Sequence, residues 1–321
     1  MLDTGTIFIA TRGSALALAQ AKEVEALCRR LFPNRHFELN VIKTTGDKNQ
    51  AASLSEGKLP KGLFTKELEI ALLNGEAHLA VHSLKDLPTA LPDGLALGAV
   101  LEREDSRDAL ILRASPKQTA LSDLPEVFTV ATGSPRRREQ LARAHPNWSF
   151  VEMRGNVGTR LRKLAEATKF QATVLAMAGM NRLGFSQAED GSLHGPDVPG
   201  GLRLLPLDVN QVVPAVGQAA IGIEIPDHPL SRELCSKLNH PDTWHCVAAE
   251  RSFLKTMGGG CHLALGAYAT LQADQLTLRG ISFLSGAPLS AEMSGPRDQG
   301  ERIGRELAEK LNVKSDPRCS D

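Results

Sequence analysis

Short apolar segments alternate with longer amphipathic ones along the first part of the chain. The predicted elements are strands at 7–10, 37–42 and 78–81 and helices at 14–31 and 63–73. Ser14 is a suitable N-cap for the first of these helices, because its hydroxyl can accept from a free backbone N–H. Alternation of strand and helix in this order favours an α/β layer with a largely parallel sheet.

The same alternation occurs a second time, after a highly charged segment at 102–107 that we interpret as the crossing between two units. The second set of predicted elements consists of strands at 127–131, 148–152 and 172–176 and helices at 135–144 and 157–167. Val157, Leu161 and Leu164 share one face of the last helix. The sequence therefore predicts two α/β units in succession.

The last part of the chain has a different order, with helices predicted at 229–238, 243–257 and 301–311 and three alternating strand-like segments between 264 and 292. Helices and strands grouped in this way indicate a smaller α+β unit. We divide the chain into domain 1 (1–101 with 205–225), domain 2 (102–204) and domain 3 (226–321). The polar, glycine-containing segments 44–60 and 187–201 are predicted to be a long mobile loop and an exposed loop.

Composition narrows the class of protein. Among 321 residues, 42% are hydrophobic and 23% are charged, as in a globular protein, and 37 basic residues balance 37 acidic ones. This balance gives no overall field to attract nucleic acid or an acidic membrane. With no basic segment before an apolar one at the N-terminus and no apolar stretch of spanning length, we expect a cytoplasmic protein. The five cysteines are Cys28, Cys235, Cys246, Cys261 and Cys319. Their odd number and wide spacing, with no C-x-x-C pair, argue against a disulfide framework.

Cys261 follows three glycines, at 258–260, that remove side chains from its N-terminal side. A thiol on such a loop can take a covalent partner. The alternative is a buried cysteine that packs as a small hydrophobe after a glycine turn, which is how most free cysteines behave.

Cationic and hydroxyl side chains follow four of the predicted strands. They lie in the segments Thr11–Ser14, His82–Asp86, Thr132–Arg138 and Arg154–Asn156, with Arg160 one turn into the next helix. Ligands of open α/β sheets bind beyond the carboxyl ends of the strands, and helix N-termini there favour anions. Guanidinium groups match carboxylates with two bonds at a time, so the clustering predicts a polycarboxylate site. For any single arginine, the alternative is a solvated helix face.

Lys85 and Asp86 are considered separately. An aspartate among cations stays ionised, and it can steady a cationic intermediate or accept hydrogen bonds from ring N–H groups; the alternative is a turn cap. A Schiff base of Lys85 with pyridoxal phosphate lacks an evident phosphate loop or ring-nitrogen partner. His240, His245 and Cys246 fit no usual zinc spacing, so no metal site is predicted.

These segments belong to an ordered series of motifs that resembles the porphobilinogen deaminase (hydroxymethylbilane synthase) family from Ile9 to about Tyr268. The matching motifs are Ala10–Ser14, Thr44–Asp47, Lys61–Phe64, Val81–Asp86, Arg154–Arg160, Pro214–Gln218, Ala249–Arg251 and Gly259–Cys261. The resemblance implies an α/β fold of two doubly wound domains like those of periplasmic binding proteins, plus a smaller α+β C-terminal domain.

The resemblance also implies an activity. Members of the family are transferases of haem biosynthesis that join four porphobilinogen molecules head to tail, release ammonia at each step and hydrolyse off hydroxymethylbilane. They carry a dipyrromethane cofactor in thioether linkage to the cysteine that corresponds to Cys261. We accordingly expect a small-molecule substrate, no nucleic acid, membrane or metal partner, and a monomer.

Roles for individual residues follow from the same resemblance. The expected catalytic residues are Asp86, Lys85 and Arg12. The expected cofactor-binding residues are Cys261, Ser14, Ser83, Lys85, Asp86, Thr132, Gly133, Ser134, Arg136, Arg137 and Arg160. The expected substrate-binding residues are Arg12, Arg154, Arg160, Arg182, Lys61, Phe64 and Gln20.

The chain departs from the family pattern in three places: at 131–137, at 262, and in the segment 187–201, which is longer than the family's and is interpreted as a surface insertion. The family's Gly-Thr-Ser-Ser-Leu-Arg-Arg corresponds to Ala-Thr-Gly-Ser-Pro-Arg-Arg at 131–137, so one hydroxyl is lost at Gly133, and His262 stands in place of glutamine. The rival hypotheses are a non-enzymatic protein that binds an organic anion, and an acyl or glycosyl transferase with Cys261 as a transient nucleophile and His262 as its base.

Overall fold

The computed structural model describes residues 5–44, 65–113, 120–259 and 263–312. Most of the predicted loop at 44–60 lies outside these residues, as do Lys61, Phe64, Cys261 and His262. The strands are β1 (Thr6–Arg12), β2 (His36–Ile42), β3 (Leu79–Ser83), β4 (Leu95–Val100), β5 (Asp108–Arg113), β6 (Thr129–Ala131), β7 (Ser149–Val151), β8 (Ala172–Ala176), β9 (Ser186–Gln187), β10 (Leu193–His194), β11 (Leu202–Leu207), β12 (Ile221–Pro226), β13 (Leu265–Gln272), β14 (Gln275–Ser282) and β15 (Leu289–Pro296). The α-helices are α1 (Ala15–Leu31), α2 (Lys66–Leu73), α3 (Pro135–Ala144), α4 (Val157–Glu166), α5 (Met177–Arg182), α6 (Pro229–Leu238), α7 (Pro241–Thr256) and α8 (Gly300–Asn312).

The first sheet has the strand order β2-β1-β3-β12-β4. β1 is parallel to β2 and β3, whereas β12 is antiparallel to both of its neighbours. β1 is apolar from Ile7 to Ala10 and is covered on both faces: Ile7 and Ile9 pack in a core with residues of α1, and Phe8 and Ala10 pack with residues of α2. Ile9, Phe37 and Ile223 are fully buried in this core.

The second sheet has the order β11-β5-β8-β6-β7. β8, β6 and β7 are parallel, and β5 runs antiparallel between β11 and β8. Each sheet thus has one reversed strand in the fourth position from one edge. The two sheets form the centres of two α/β lobes, and the chain crosses between them at 101–107 and 208–220.

The third unit is an antiparallel meander of β13, β14 and β15 packed against α7 and α8. Its core includes Phe253, Leu278 and Leu307, all fully buried. The predicted fold class of two α/β lobes with a smaller α+β unit is confirmed. Within the described residues, no helix is both long and apolar enough to cross a membrane.

Most predicted elements are confirmed, but six strands, β4, β5, β9, β10, β11 and β12, have no counterpart among the predictions. The interpretation of 187–201 as an exposed loop is wrong in part, because β9 and β10 pair there and Leu193 is buried. The sheets are also more mixed than expected, owing to β5 and β12.

Packing places two segments differently from the predicted domain boundaries. β11 continues through Leu207 in the second sheet, so residues 205–207 pair there although the predicted division assigns them to domain 1. The sequence assigned helix α6 to the third domain. In the structure, its buried residues Leu234 and Cys235 pack in the core of the first sheet, with Ile223 and Ile225 of β12. The division into three domains otherwise stays a prediction.

Candidate active site

The segment after β3 presents two charged side chains at the carboxyl edge of the first sheet. Leu84–Asp86 forms a single 3-10 turn, fixed by the fully buried Leu84, whose N–H donates to the Ala220 carbonyl at 3.0 Å. Asp86 is exposed, and its carboxylate accepts no hydrogen bond from any residue that the structure describes. This carboxylate is therefore available to a ligand.

Lys85 lies half-buried beside the second sheet's cations. Its Nζ is 3.5 Å from Oε1 of Gln218. Burial, followed by the positive charge of Arg137, lowers the pKa of Lys85 to about 8, although Asp86 and Asp108 act in the opposite direction. The turn after β3, which carries Lys85, and the start of α3, which carries Arg136 and Arg137, are thus close enough for their charges to interact.

Asp108 organises the buried side of this site. Its carboxylate accepts from Nη2 of Arg136 at 2.8 Å, from Nη2 of Arg137 at 2.7 Å and from Nε2 of Gln218 at 3.0 Å. Burial alone would raise the pKa of Asp108, but the two guanidinium groups outweigh it and hold that pKa well below its usual range. A buried cluster of three charged groups, Asp108, Arg136 and Arg137, therefore lies beneath the site.

Arg136 and Arg137 are consequently less open than the sequence predicts. Arg136 also donates to the Val213 carbonyl at 2.6 Å, and Arg137 to the Val174 carbonyl at 2.9 Å. The Nε of Arg137 is buried without a hydrogen-bond partner among the described residues. Contact of Arg136 and Arg137 with a ligand stays a prediction. Only their guanidinium N–H groups that make none of these hydrogen bonds could donate to a ligand.

The N-terminus of α3 is built as the local sequence predicts. Ser134 is the N-cap and accepts from the N–H of Arg137 at 3.4 Å, Pro135 follows as the first helical residue, and the Thr132 hydroxyl accepts from the N–H of Ser134 at 3.2 Å. Ser14 caps α1 in the same way, accepting from the N–H of Ala17 at 3.3 Å.

The N-terminus of α4 supplies two further cations. Arg160 donates from Nε to the Gly155 carbonyl at 2.7 Å, and burial and then Arg137 lower its pKa to about 10. Arg154 donates from Nε to Oε1 of Glu152 at 2.9 Å. Since Arg137 acts on both Lys85 and Arg160, the cations of the two sheets form a continuous series.

Two residues predicted to bind substrate have hydrogen-bond partners within the protein. Gln20 is only 3% exposed, and its Oε1 accepts from the Ser83 hydroxyl at 3.0 Å, so it supports Ser83 from below. Arg182 joins α5 to Glu23 of α1 at 3.2 Å and to the Ala219 carbonyl at 3.0 Å. Their contact with substrate stays a prediction, restricted to the polar atoms that these hydrogen bonds do not use. Arg12 ends β1 and is half-buried.

Sequence reasoning missed a contact from the third unit. Arg251 of α7 donates to the carbonyls of Leu87 at 3.1 Å and Pro88 at 2.7 Å, directly after Asp86. Gly259 has φ +56° and lies so close to this segment that a Cβ would be 3.3 Å from the Thr89 hydroxyl. The motif Ala249–Arg251 was visible in the sequence, but nothing local indicates what Arg251 holds.

The three described cysteines are buried thiols. Burial raises the pKa of Cys28 and of Cys235 to about 12 and that of Cys246 to about 11. Thiols of this kind are unreactive, because the thiolate is the nucleophilic form.

Comparison with known proteins agrees with the resemblance. Residues 7–231 match the family model "Porphobilinogen deaminase, dipyromethane cofactor binding domain", and residues 244–312 match "Porphobilinogen deaminase, C-terminal domain". A porphobilinogen deaminase of Chromobacterium violaceum is 44% identical over 308 residues, which cover 95% of this chain and 94% of the relative. One of Gloeobacter violaceus is 44% identical over 313 residues, covering 96% and 90%.

Among solved structures, the Bordetella pertussis BvgS VFT2 domain matches with a TM-score of 0.41 and 18% identity over 74% of this chain and 86% of that one. The two family models together span nearly all of the described chain, and the two relatives cover 95% and 96% of the full chain. The chain belongs to the porphobilinogen deaminase family.

Proposed function

We propose that this protein is a hydroxymethylbilane synthase, a transferase that joins porphobilinogen molecules head to tail with release of ammonia in tetrapyrrole synthesis. The observation that carries the proposal is the position of Asp86. Its open carboxylate ends a strand of the first sheet, beside a series of cations, Lys85, Arg137 and Arg160, to which both sheets contribute.

The cations suit the substrate's charges. Porphobilinogen carries an acetate and a propionate group, so a growing chain adds two carboxylates with each ring. Each charge-assisted hydrogen bond to a shielded cation is worth roughly 1.5–3 kcal/mol. Lys85, Arg154, Arg160 and Arg12 supply such donors in our proposal, and Ser83 and Ser134 supply hydroxyls.

Asp86 supplies the catalytic charge. When ammonia departs, the carbon–nitrogen bond breaks with its electron pair going to nitrogen, and positive charge develops on the pyrrole. A fixed carboxylate stabilises this charge in the transition state more than it stabilises the neutral ring in the ground state. Lys85 holds a substrate carboxylate beside it.

The donor set also fits the dipyrromethane cofactor, which carries carboxylates of the same kind. The Nε of Arg137 is buried and has no hydrogen-bond partner in the part of the chain that the structure describes, so it is a donor that an anion would satisfy. Thr132, Ser134, Lys85 and Arg160 would hold the group. When bound, it supplies the pyrrole carbon to which the next ring is attached.

Cys261 is the proposed attachment point. The described end of its loop, Gly259, lies beside Thr89, three residues after Asp86. The thiols of Cys28, Cys235 and Cys246 are buried with raised pKa values, which makes them poor candidates for attachment.

Mass spectrometry of the intact protein tests the proposal. Active protein should carry an adduct of two porphobilinogen-derived units on Cys261, and Cys261→Ser should lack it while Cys319→Ser retains it. Active protein with an unmodified Cys261 would overturn the proposal and favour a simple anion-binding protein. A monomer that works in the cytoplasm stays our prediction, which size-exclusion chromatography and cell fractionation check.

A further inference from the structure

Glu152 places a carboxylate inside the cationic part of the site. It directly follows β7, and its Oε1 is 2.9 Å from Nε of Arg154. The side chain of Glu152 is 59% exposed and that of Arg154 is 29% exposed, so the pair lies at the open edge of the site. Arg154 therefore has an internal anion as its partner.

The missing side chain at Gly133 makes room for this carboxylate. A Cβ at Gly133 would lie 2.8 Å from Oε1 of Glu152 and 3.1 Å from the Met153 carbonyl oxygen. Real Cβ atoms do not approach an oxygen at 2.8 Å, so any larger residue at 133 would push the Glu152 side chain away. The carboxylate thus occupies the volume that a side chain at 133 would fill, one residue before the N-cap of α3.

Glu152 also acts on the neighbouring helix. Its charge raises the pKa of Arg160, against the lowering by burial and by Arg137. Neither α3 nor α4 has an acidic residue in its first turn. Glu152 therefore supplies negative charge to a region that otherwise combines two helix N-termini with several guanidinium groups.

We infer that Glu152 is a stand-in for a substrate carboxylate: it pairs with Arg154 in the unliganded protein and is displaced when an acetate or propionate group binds there. This inference rests on the proposed function, since it assigns Arg154 to the substrate. The internal carboxylate keeps the guanidinium oriented and lowers affinity for anions, because each incoming carboxylate must compete with it. Glu152 is a specificity-determining residue in this role and takes no part in the chemical step.

Steady-state kinetics of Glu152→Gln provide the first test. Exposed pairs of this kind are weak, so KM for porphobilinogen should fall by roughly two- to five-fold with kcat nearly unchanged. Glu233→Gln is the matched control, because it removes the same charge from an exposed pair between Glu233 of α6 and Arg35 and should leave KM as in wild type. A KM that is unchanged or raised in Glu152→Gln would overturn the inference.

Gly133→Ala distinguishes the effect of the position of the Glu152 carboxylate from the effect of its charge. The added methyl group displaces the Glu152 carboxylate and leaves every charge in place, so KM should again fall. The double variant Gly133→Ala/Glu152→Gln should resemble Glu152→Gln alone, since both changes remove the same contact. Fully additive effects would mean that Gly133 acts independently of Glu152, contrary to the inference.

Calorimetric titration with inorganic phosphate provides a readout that needs no turnover. Phosphate should bind more tightly to Glu152→Gln and to Gly133→Ala than to wild type and Glu233→Gln. If wild type does not consume porphobilinogen but phosphate binding follows this order, the proposed function fails and the role of Glu152 stands. If turnover is normal and neither variant changes KM or phosphate affinity, the role of Glu152 fails alone.

Discussion

Arg103 and Glu250 form a buried bidentate ion pair, at 2.5 and 3.1 Å, that joins the first crossing between the sheets to helix α7. The Glu250 carboxylate also accepts from the N–H groups of Gly217 at 2.7 Å and Ala269 at 2.8 Å. Arg103 in turn donates from Nε to the Gln218 carbonyl at 2.8 Å. One carboxylate therefore holds together both crossings and the third unit.

Loss of this charge should destabilise the whole protein. Glu250→Gln leaves the Arg103 guanidinium buried without a counter-ion, which costs roughly 3 kcal/mol or more of the free energy of unfolding. Urea unfolding measures the cost. Glu233→Gln is the control, since its pair with Arg35 is exposed and is worth about 1 kcal/mol or less. Similar midpoints for the two variants would contradict the central role of Glu250.

Asp86→Asn keeps the shape of the side chain and removes its charge. Because the carboxylate is proposed to stabilise charge that develops only in the transition state, kcat should fall by roughly 10²-fold or more. Asp93→Asn, at an exposed position farther along the same segment, should leave kcat as in wild type. Near-normal turnover in Asp86→Asn would remove Asp86 from the mechanism.

The lowered pKa of Lys85 predicts an alkaline limb in the pH profile. Its value of about 8 means that the ammonium group loses its proton as pH rises through 8, and with it the attraction for substrate carboxylates. The ratio kcat/KM should therefore be constant below this range and decrease above it. Lys85→Arg keeps its charge at these pH values, so its profile should lack the limb; an unchanged limb would assign it to another group.

Arg251 is expected to position the segment that carries Asp86. Arg251→Lys cannot donate to the Leu87 and Pro88 carbonyls in the same fork geometry, so the turn before them should loosen. We expect kcat to decrease roughly tenfold with a smaller change in KM, because misplacement affects the transition state most. Arg232→Lys, at an exposed ion pair on α6, should have no effect on kcat. An unchanged kcat in Arg251→Lys would show that the clamp is only structural.

The features that the sequence predicted are those determined by neighbours in the chain. Ser14 and Ser134 accept from N–H groups three residues away, and that local geometry is visible in the sequence. Hydrophobic patterning likewise located the strand ends, and it correctly placed Lys85 and Asp86 just after the carboxyl end of β3.

The features that the sequence did not predict depend on distant partners. Gln20 pairs with Ser83 over 63 positions, and Arg182 pairs with Glu23 over 159. The role of Asp108 is not predicted, because an aspartate beside a charged segment resembles a surface residue. In the structure, Asp108 is fully buried and pairs with Arg136 and Arg137. Such roles become evident only when the sheets are assembled.

The position of β12 between β3 and β4 has a consequence for biosynthesis. β4 pairs with no strand other than β12 among the described residues, and β12 begins only at Ile221, after the entire second sheet has been translated. A nascent chain on the ribosome therefore exposes the edges of β3 and β4 until more than two thirds of the polypeptide has been made. Completion of the N-terminal lobe must wait for a late segment, which makes this lobe slow to form and dependent on protection from aggregation during synthesis.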